Sequence, residues 1–218
     1  MIKLIIFDSD GVICNDFNRE KYNLFIKGFL KKHEVSSKLI EKQNKIWKSI
    51  EYKALEGKIS QRKANEIWIK KLGLSKKLAK DFVTGDFEFW KRYVESKSEI
   101  KKTLRKLRSM GYKLAVLSND VRQSLSKKKI LSFVNIDKYL DGIYTSHSIK
   151  HAKPEKEAYL YIVKRFRTKP SKTIFVGHED YELRGAKRAG LKVVCFRKKS
   201  CSFADFHIKN FPKILQIV

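Results

Sequence analysis

Asp8 and Asp10 stand two residues apart, directly after the aliphatic run Leu4-Ile5-Ile6-Phe7. At the end of a strand that spacing lets two carboxylates flank one reacting centre, one attacking while the other moves protons. Gly11 follows, where the backbone can turn away sharply. Ser118 and Asn119 close a second aliphatic run and offer a hydroxyl and an amide able to donate to phosphate oxygens. Lys153, followed by Pro154, is a suitable point charge for a phosphoryl group. A further run ends in Gly177, His178, Glu179 and Asp180, with Glu182 close by, and these are candidate metal ligands.

Elements that could hold these groups together are readable from the apolar pattern. Residues 3–8, 113–119, 173–178 and 192–196 are continuous aliphatic blocks, the pattern of strands buried on both faces of a parallel sheet. Residues 98–110 carry Ile100, Leu104 and Leu107 at helical spacing before Gly111, and 153–167 and 182–189 also read as helices. Strands alternating with helices predict a doubly wound, Rossmann-like α/β fold, whose ligands sit at the carboxyl ends of the strands. Residues 16–96 are different. They contain no convincing strand but several amphipathic helical stretches: 23–32 with Leu24, Phe25, Phe29 and Leu30 as the inward candidates, 39–55, and 61–72. The expected organisation is an α/β core of residues 1–15 and 97–218 interrupted by an all-helical module, 16–96. Trp47, Trp68 and Trp90 are expected in the core of that module, not as platforms for a ligand.

Composition bounds the partners. Hydrophobic residues make up 42% of the 218, which is a globular composition. Lysine and arginine total 50 against 23 acidic residues, a net charge of +27, which favours anionic partners. The basic residues are spread along the chain, so a lysine-rich surface is expected and a nucleic-acid partner is not favoured. Lys127-Lys128-Lys129 and Arg197-Lys198-Lys199 read as solvated surface. Cys14, Cys195 and Cys201 have no metal-type spacing, and reduced thiols in a cytoplasmic protein are the simplest expectation. No apolar stretch approaches the ~20 residues of a membrane span, and the amino-terminal run is too short for a signal peptide.

The four motifs, in this order, resemble those of haloacid dehalogenase-type hydrolases. Asp8-Ser9-Asp10-Gly11-Val12 is similar to the first motif, Leu117-Ser118-Asn119 to the second and Lys153-Pro154 to the third. Val176-Gly177 with Gly185-Ala186 and Ala189-Gly190 is similar to the fourth. Ala204-Asp205 before the apolar tail is similar to the lead into the family's last strand and helix. The helical insertion after the first motif resembles the small cap of the phosphoglycolate phosphatase and β-phosphoglucomutase subclass, and Gly57-Lys58-Ile59-Ser60 is similar to a common cap connection. The resemblance implies a Mg²⁺-dependent phosphatase acting on a small phosphorylated metabolite. Asp8 would form an aspartyl-phosphate, and Asp10 would protonate the leaving oxygen and then activate water. Ser118, Asn119 and Lys153 would hold the phosphoryl oxygens. The metal would lie on Asp8, the carbonyl of Asp10 and a carboxylate of the fourth motif. That motif departs from the usual Gly-Asp: His178 stands at the first position and Glu182 at the later one. Imidazole is a poor ligand for a hard cation. Either Glu179 or Asp180 takes over, with His178 and Glu182 behind the ligands, or metal affinity is weakened, or activity is lost. Alternatives to the phosphatase are a phosphoglucomutase-like transferase and a catalytically weakened phosphate-binding or regulatory protein.

Overall fold

The computed structural model describes residues 1–197 and 201–218. Six parallel strands form one sheet: β1 (Leu4–Phe7), β2 (Lys113–Ser118), β3 (Gly142–Thr145), β4 (Thr173–Gly177), β5 (Lys192–Phe196) and β6 (Phe206–Ile208). Their order is β3-β2-β1-β4-β5-β6. The chain runs outward from β1 to β3 on one side, then returns beside β1 to build β4 to β6 on the other. The strand order therefore reverses at β1 and β4, where open α/β sheets leave a crevice for ligands.

Alternation along the strands explains why both faces are covered. Ile5, Phe7, Val116, Val176 and Val194 enter one apolar cluster with α5 (Ser98–Ser109) and α6 (Ser124–Ser132). Leu4, Ile6, Leu117, Phe175 and Val193 enter the other, against α8 (Lys156–Arg165) and α9 (Asp180–Arg188). Each large aliphatic side chain so buried contributes about 1.5–3 kcal/mol. A single turn, α7 (Ser146–Ile149), follows β3, and the chain ends in a 3₁₀ segment, Phe211–Gln216.

Between β1 and α5 lie four helices: α1 (Arg19–Lys32), α2 (Ser37–Leu55), α3 (Gln61–Lys71) and α4 (Leu78–Tyr93). They enclose a separate cluster that includes Ile26, Leu30, Ile50, Trp68 and Phe82. The side chains of Asn18 and Ser60 accept from the amides of Lys21 and Lys63, fixing where α1 and α3 begin. The two segments joining this bundle to the sheet run side by side. Asn15 N–H donates to the Glu95 carbonyl at 3.0 Å, and Glu95 N–H donates to Asn15 Oδ1 at 2.9 Å.

Several expectations change here. Helix α1 starts four residues before 23, its buried face is Ile26 and Leu30, and Leu24 points outward, 67% exposed. Helix α4 and strands β3 and β6 lack a clear periodic signal, since β3 is short and only half-buried along most of its length. Trp68 does lie in the bundle core, but Trp90 packs in the α/β cluster, because the first half of α4 faces the bundle and its second half faces the sheet domain. Cys195 and Cys201 are joined as a disulfide with Cα atoms 6.5 Å apart, overturning the expectation of reduced thiols for that pair. Linear spacing did not reveal that these two side chains meet. Cys14 is free and buried. Lys198 and Lys199 lie outside the described residues. No helix among the described residues is long and apolar enough to cross a membrane.

Candidate active site

Hydrogen-bonding of β1 between β2 and β4 carries Asp8 to the middle of the sheet's carboxyl edge, where its N–H donates to the Val176 carbonyl at 2.9 Å. Beyond it the chain turns through Gly11 at φ +78°, a conformation that favours glycine. A Cβ there would also collide with Asp16 and come within 2.8 Å of the His178 ring. Asp8, Asp10, Ser118, Asn119, Lys153, His178, Glu179 and Glu182 all line one cavity of about 680 Å³ between the sheet edge and the helical bundle.

Lys153 is the electrostatic centre of its floor. Its buried ammonium is 2.5 Å from Asp8 Oδ1 and 2.7 Å from Glu182 Oε1. Burial disfavours the Lys153 charge, but Asp8 and Glu182 outweigh it and hold the amine protonated well above its ordinary range. Its main chain is clamped by Asn119. Asn119 Oδ1 accepts from Lys153 N–H at 2.8 Å, and Asn119 Nδ2 donates to the Lys153 carbonyl at 2.9 Å. The amide expected to meet phosphate is therefore largely committed to placing the lysine. Helix α9 approaches the same turn closely because Gly185 has no side chain; a Cβ would lie 2.5 Å from the Pro154 carbonyl oxygen.

The Asp8 carboxyl is pushed up to about 6 by burial, with Glu182 and Asp10 adding to the rise against the opposing Lys153. One lysine thus serves two buried carboxylates, which leaves an excess of negative charge at the floor. Asp8, His178 and Glu182 each offer a ligand atom within 4.8 Å of the others. Glu182 Oε2 and His178 Nδ1 are buried without a hydrogen-bond partner. Two orphaned acceptors beside an under-neutralised carboxylate fit a divalent cation. Glu179 and Asp180 are not part of this group. Glu179 lies on the other ring nitrogen, Oε1 3.4 Å from His178 Nε2, with its side chain 51% exposed. Asp180 Oδ1 lies 3.5 Å from Cys201 Sγ. The cause is helical: α9 begins at Asp180, so Glu182 turns inward while Glu179 stays outside the helix.

Asp10 accepts from Ser9 Oγ at 3.0 Å and from Lys127 Nζ at 3.1 Å. Lys127, expected on the solvated surface, is only 2% exposed; Lys128 and Lys129 do face solvent. The Lys127 ammonium also lies 3.5 Å from Asp120 Oδ2, and Asp120 pairs with Arg122 at 3.0 Å. Arg122 in turn reaches Asp86 on α4 at 2.8 Å and sits over the Trp90 ring, 5.0 Å from its centroid. This buried chain of charges ties the acid–base candidate to the helical bundle. Burial alone would raise the Asp120 carboxyl, but Arg122 and Lys127 together hold it below the usual carboxylate range. Trp90 and Trp47 line the cavity as well. Sequence signals for this chain are faint: Asp120 does follow Ser118-Asn119, but nothing in the linear order marks Asp86.

The profile of haloacid dehalogenase-like hydrolases matches residues 2–190. The chain belongs to that family. Within it, the phosphoglycolate phosphatase of Aquifex aeolicus is 33% identical over 130 residues, 58% of this chain and 60% of that protein. Pyrophosphatase PpaX of Bacillus mycoides is 28% identical over 101 residues, 46% of each chain. The aligned region thus spans about half of each curated relative. The 2-haloacid dehalogenase of Pseudomonas syringae pv. Tomato shares the fold of this hydrolase over its full length, with a TM-score of 0.75, 17% identity and coverage of 100% of this chain and 98% of that one.

Proposed function

We propose that this hydrolase is a phosphatase of small phosphorylated metabolites, working through an aspartyl-phosphate on Asp8, with residues 16–96 as a cap over the site. The observation that carries the reading is the placement of Asp8: a carboxylate at the switch point of the sheet, 2.5 Å from Lys153 and open to a cavity. Asp8 Oδ2, 3.6 Å from His178 Nδ1, is the oxygen left for attack on phosphorus, since Oδ1 is engaged by Lys153. Asp10 sits two residues on, held by Lys127 and Ser9 in a position to give a proton to the leaving oxygen and later take one from water. Ser118 and the Lys153 ammonium face the phosphoryl oxygens. Asp8, Glu182 and His178 would hold the cation. A bound Mg²⁺ would supply charge neutralisation for a phosphate dianion approaching a carboxylate. The two carboxylates suit Mg²⁺, while the imidazole contributes no charge and widens tolerance to Mn²⁺.

His178 also favours a second reading, a weakened enzyme that binds phosphate without efficient turnover. Hydrolysis of p-nitrophenyl phosphate, titrated with Mg²⁺ and Mn²⁺ and compared with Asp8→Asn, separates the two. Metal-dependent turnover that vanishes in Asp8→Asn supports the phosphatase. Turnover equal in both proteins excludes covalent catalysis at Asp8, and phosphate binding without turnover supports the second reading.

A further inference from the structure

A second, smaller pocket of about 120 Å³ lies within the helical bundle beside the cavity over Asp8. Phe17, Tyr22, Trp47, Val121 and Arg122 wall both spaces, so the two adjoin, and these side chains stand between a phosphoryl group at Asp8 and the pocket. The inner wall is polar yet closed to solvent: Gln43 on α2 and Asn65 on α3 are each 2% exposed. The Gln43 side-chain oxygen, Oε1, is buried without a hydrogen-bond partner. Its backbone is fixed, because Trp68 Nε1 donates to the Gln43 carbonyl at 3.2 Å. A buried acceptor with no donor is costly to maintain. In a pocket that adjoins the reaction centre, the donor belongs to the ligand.

The charges around the pocket select the kind of donor. Arg122 is already held between Asp86 at 2.8 Å and Asp120 at 3.0 Å. The Tyr22 hydroxyl donates to Asp86 at 2.8 Å. Arg19 and Lys48 reach the pocket only at its exposed rim. A carboxylate or second phosphate driven inward would therefore meet neutral carboxamides and the Asp86 carboxylate, with no unpaired buried cation among the described residues. A hydroxyl would meet an acceptor in Gln43 and a second polar partner in Asn65. Trp47 offers an apolar face for carbon-bound hydrogens along the way.

We propose that Gln43 and Asn65 form a subsite for the leaving group, and that the leaving group is a neutral polyol or sugar. The inference rests on the phosphatase reading and specifies its substrate class. Two substrates of equal carbon count test it, ribose 5-phosphate and pentyl phosphate, with phosphoglycolate as the anionic competitor. Wild-type protein is expected to favour ribose 5-phosphate over both in kcat/KM. In Gln43→Leu the ratio of ribose 5-phosphate to pentyl phosphate should fall by about two- to tenfold, the scale of one neutral hydrogen bond, mainly through KM. Gln43→Glu keeps an acceptor and should retain more of that preference. An unchanged ratio in Gln43→Leu, or a wild-type preference for phosphoglycolate, overturns the proposal. A calorimetric arm is independent of turnover: Asp8→Asn should bind ribose 5-phosphate more tightly than Asp8→Asn combined with Gln43→Leu. Equal binding of the two sinks the subsite. Weaker binding in the double variant, from a wild-type protein that hydrolyses no phosphate ester, would uphold the subsite and sink the phosphatase reading instead.

Discussion

The floor of the active-site cavity and the pocket above it both bury polar side chains, but they do so in opposite ways. On the floor the groups are charged and heavily cross-paired: Lys153 between Asp8 and Glu182, Lys127 between Asp10 and Asp120, and Arg122 between Asp120 and Asp86. In the pocket, beside the Asp86–Arg122 end of that network, they are the neutral amides Gln43 and Asn65, and Gln43 Oε1 has no hydrogen-bond partner. Removing one member of a buried charge network strands the others, so the floor tolerates little change. Replacing an unpartnered neutral acceptor strands nothing. The contrast suits a division of labour, with the chemistry on strand ends that cannot easily vary and selectivity on helices that can.

The strongest way to break this comparison is at Asp8. Asp8→Asn keeps the shape but removes the nucleophile, and steady-state turnover of any phosphate ester should fall below detection. Asp10→Asn leaves the nucleophile in place and should slow single-turnover formation and breakdown of the intermediate by roughly 10²–10⁴-fold. Unchanged rates in rapid-quench experiments would remove Asp10 from the acid–base role.

Stability measurements sharpen the contrast further. Arg122→Ala leaves Asp86 buried with only the Tyr22 hydroxyl and Asp120 with Lys127 alone, and urea unfolding should show a loss of about 3–5 kcal/mol. Gln43→Leu, at equal burial, should change stability by less than about 1 kcal/mol, in either direction. Similar losses from both variants would erase the distinction between floor and pocket. At the cation site, His178→Asp adds a charge and should tighten Mg²⁺ binding by about tenfold in calorimetry, while His178→Ala weakens it. Indifference to both changes would move the metal away from His178.

The smallest effect is on acid stability. Asp120 titrates at about 3.8 when unfolded and below that value when folded. The unfolded chain therefore binds the proton first as pH falls, so the stabilisation is complete above about pH 4 and is lost below it. Asp120→Asn should flatten the fall of unfolding free energy with pH in that acid range, a difference readable from urea titrations at pH 3 and pH 5.

Much of the α/β part was legible beforehand because a strand buried on both faces must be apolar throughout. Residues 113–119 and 192–196 carry that signature, whereas the half-buried β3 does not. Asp8, Asp10 and Ser118 were visible because a polar residue ending an aliphatic run has few other reasons to be there, and Lys153 because Pro154 follows it in the order of motifs that the family shares. The insertion was visible as a helical region, but its inward faces were read less well. In α1 Phe25, Phe29 and Leu30 do face the bundle, whereas Leu24 points to solvent and Ile26, not marked beforehand, is buried. Lys127 shows the same limit. In the sequence it is one lysine in a run of three, and only the docking of α6 beside the Asp8–Asp10 loop buries its ammonium against two carboxylates.

By itself the sequence determined the alternation of strands and helices, the position of the helical insertion and the polar clusters that close its aliphatic runs. These are local properties, set by side-chain period and by what can follow an apolar run. Only the tertiary structure decided which carboxylate of the fourth motif faces Asp8, because that depends on where α9 begins relative to β4. It alone also decided that Asp86, far along the chain from Asp120, completes a charge network, and that Gln43 and Asn65 share a wall. Those groups come from separate helices, and their meeting depends on how the bundle packs, which no spacing along the chain encodes.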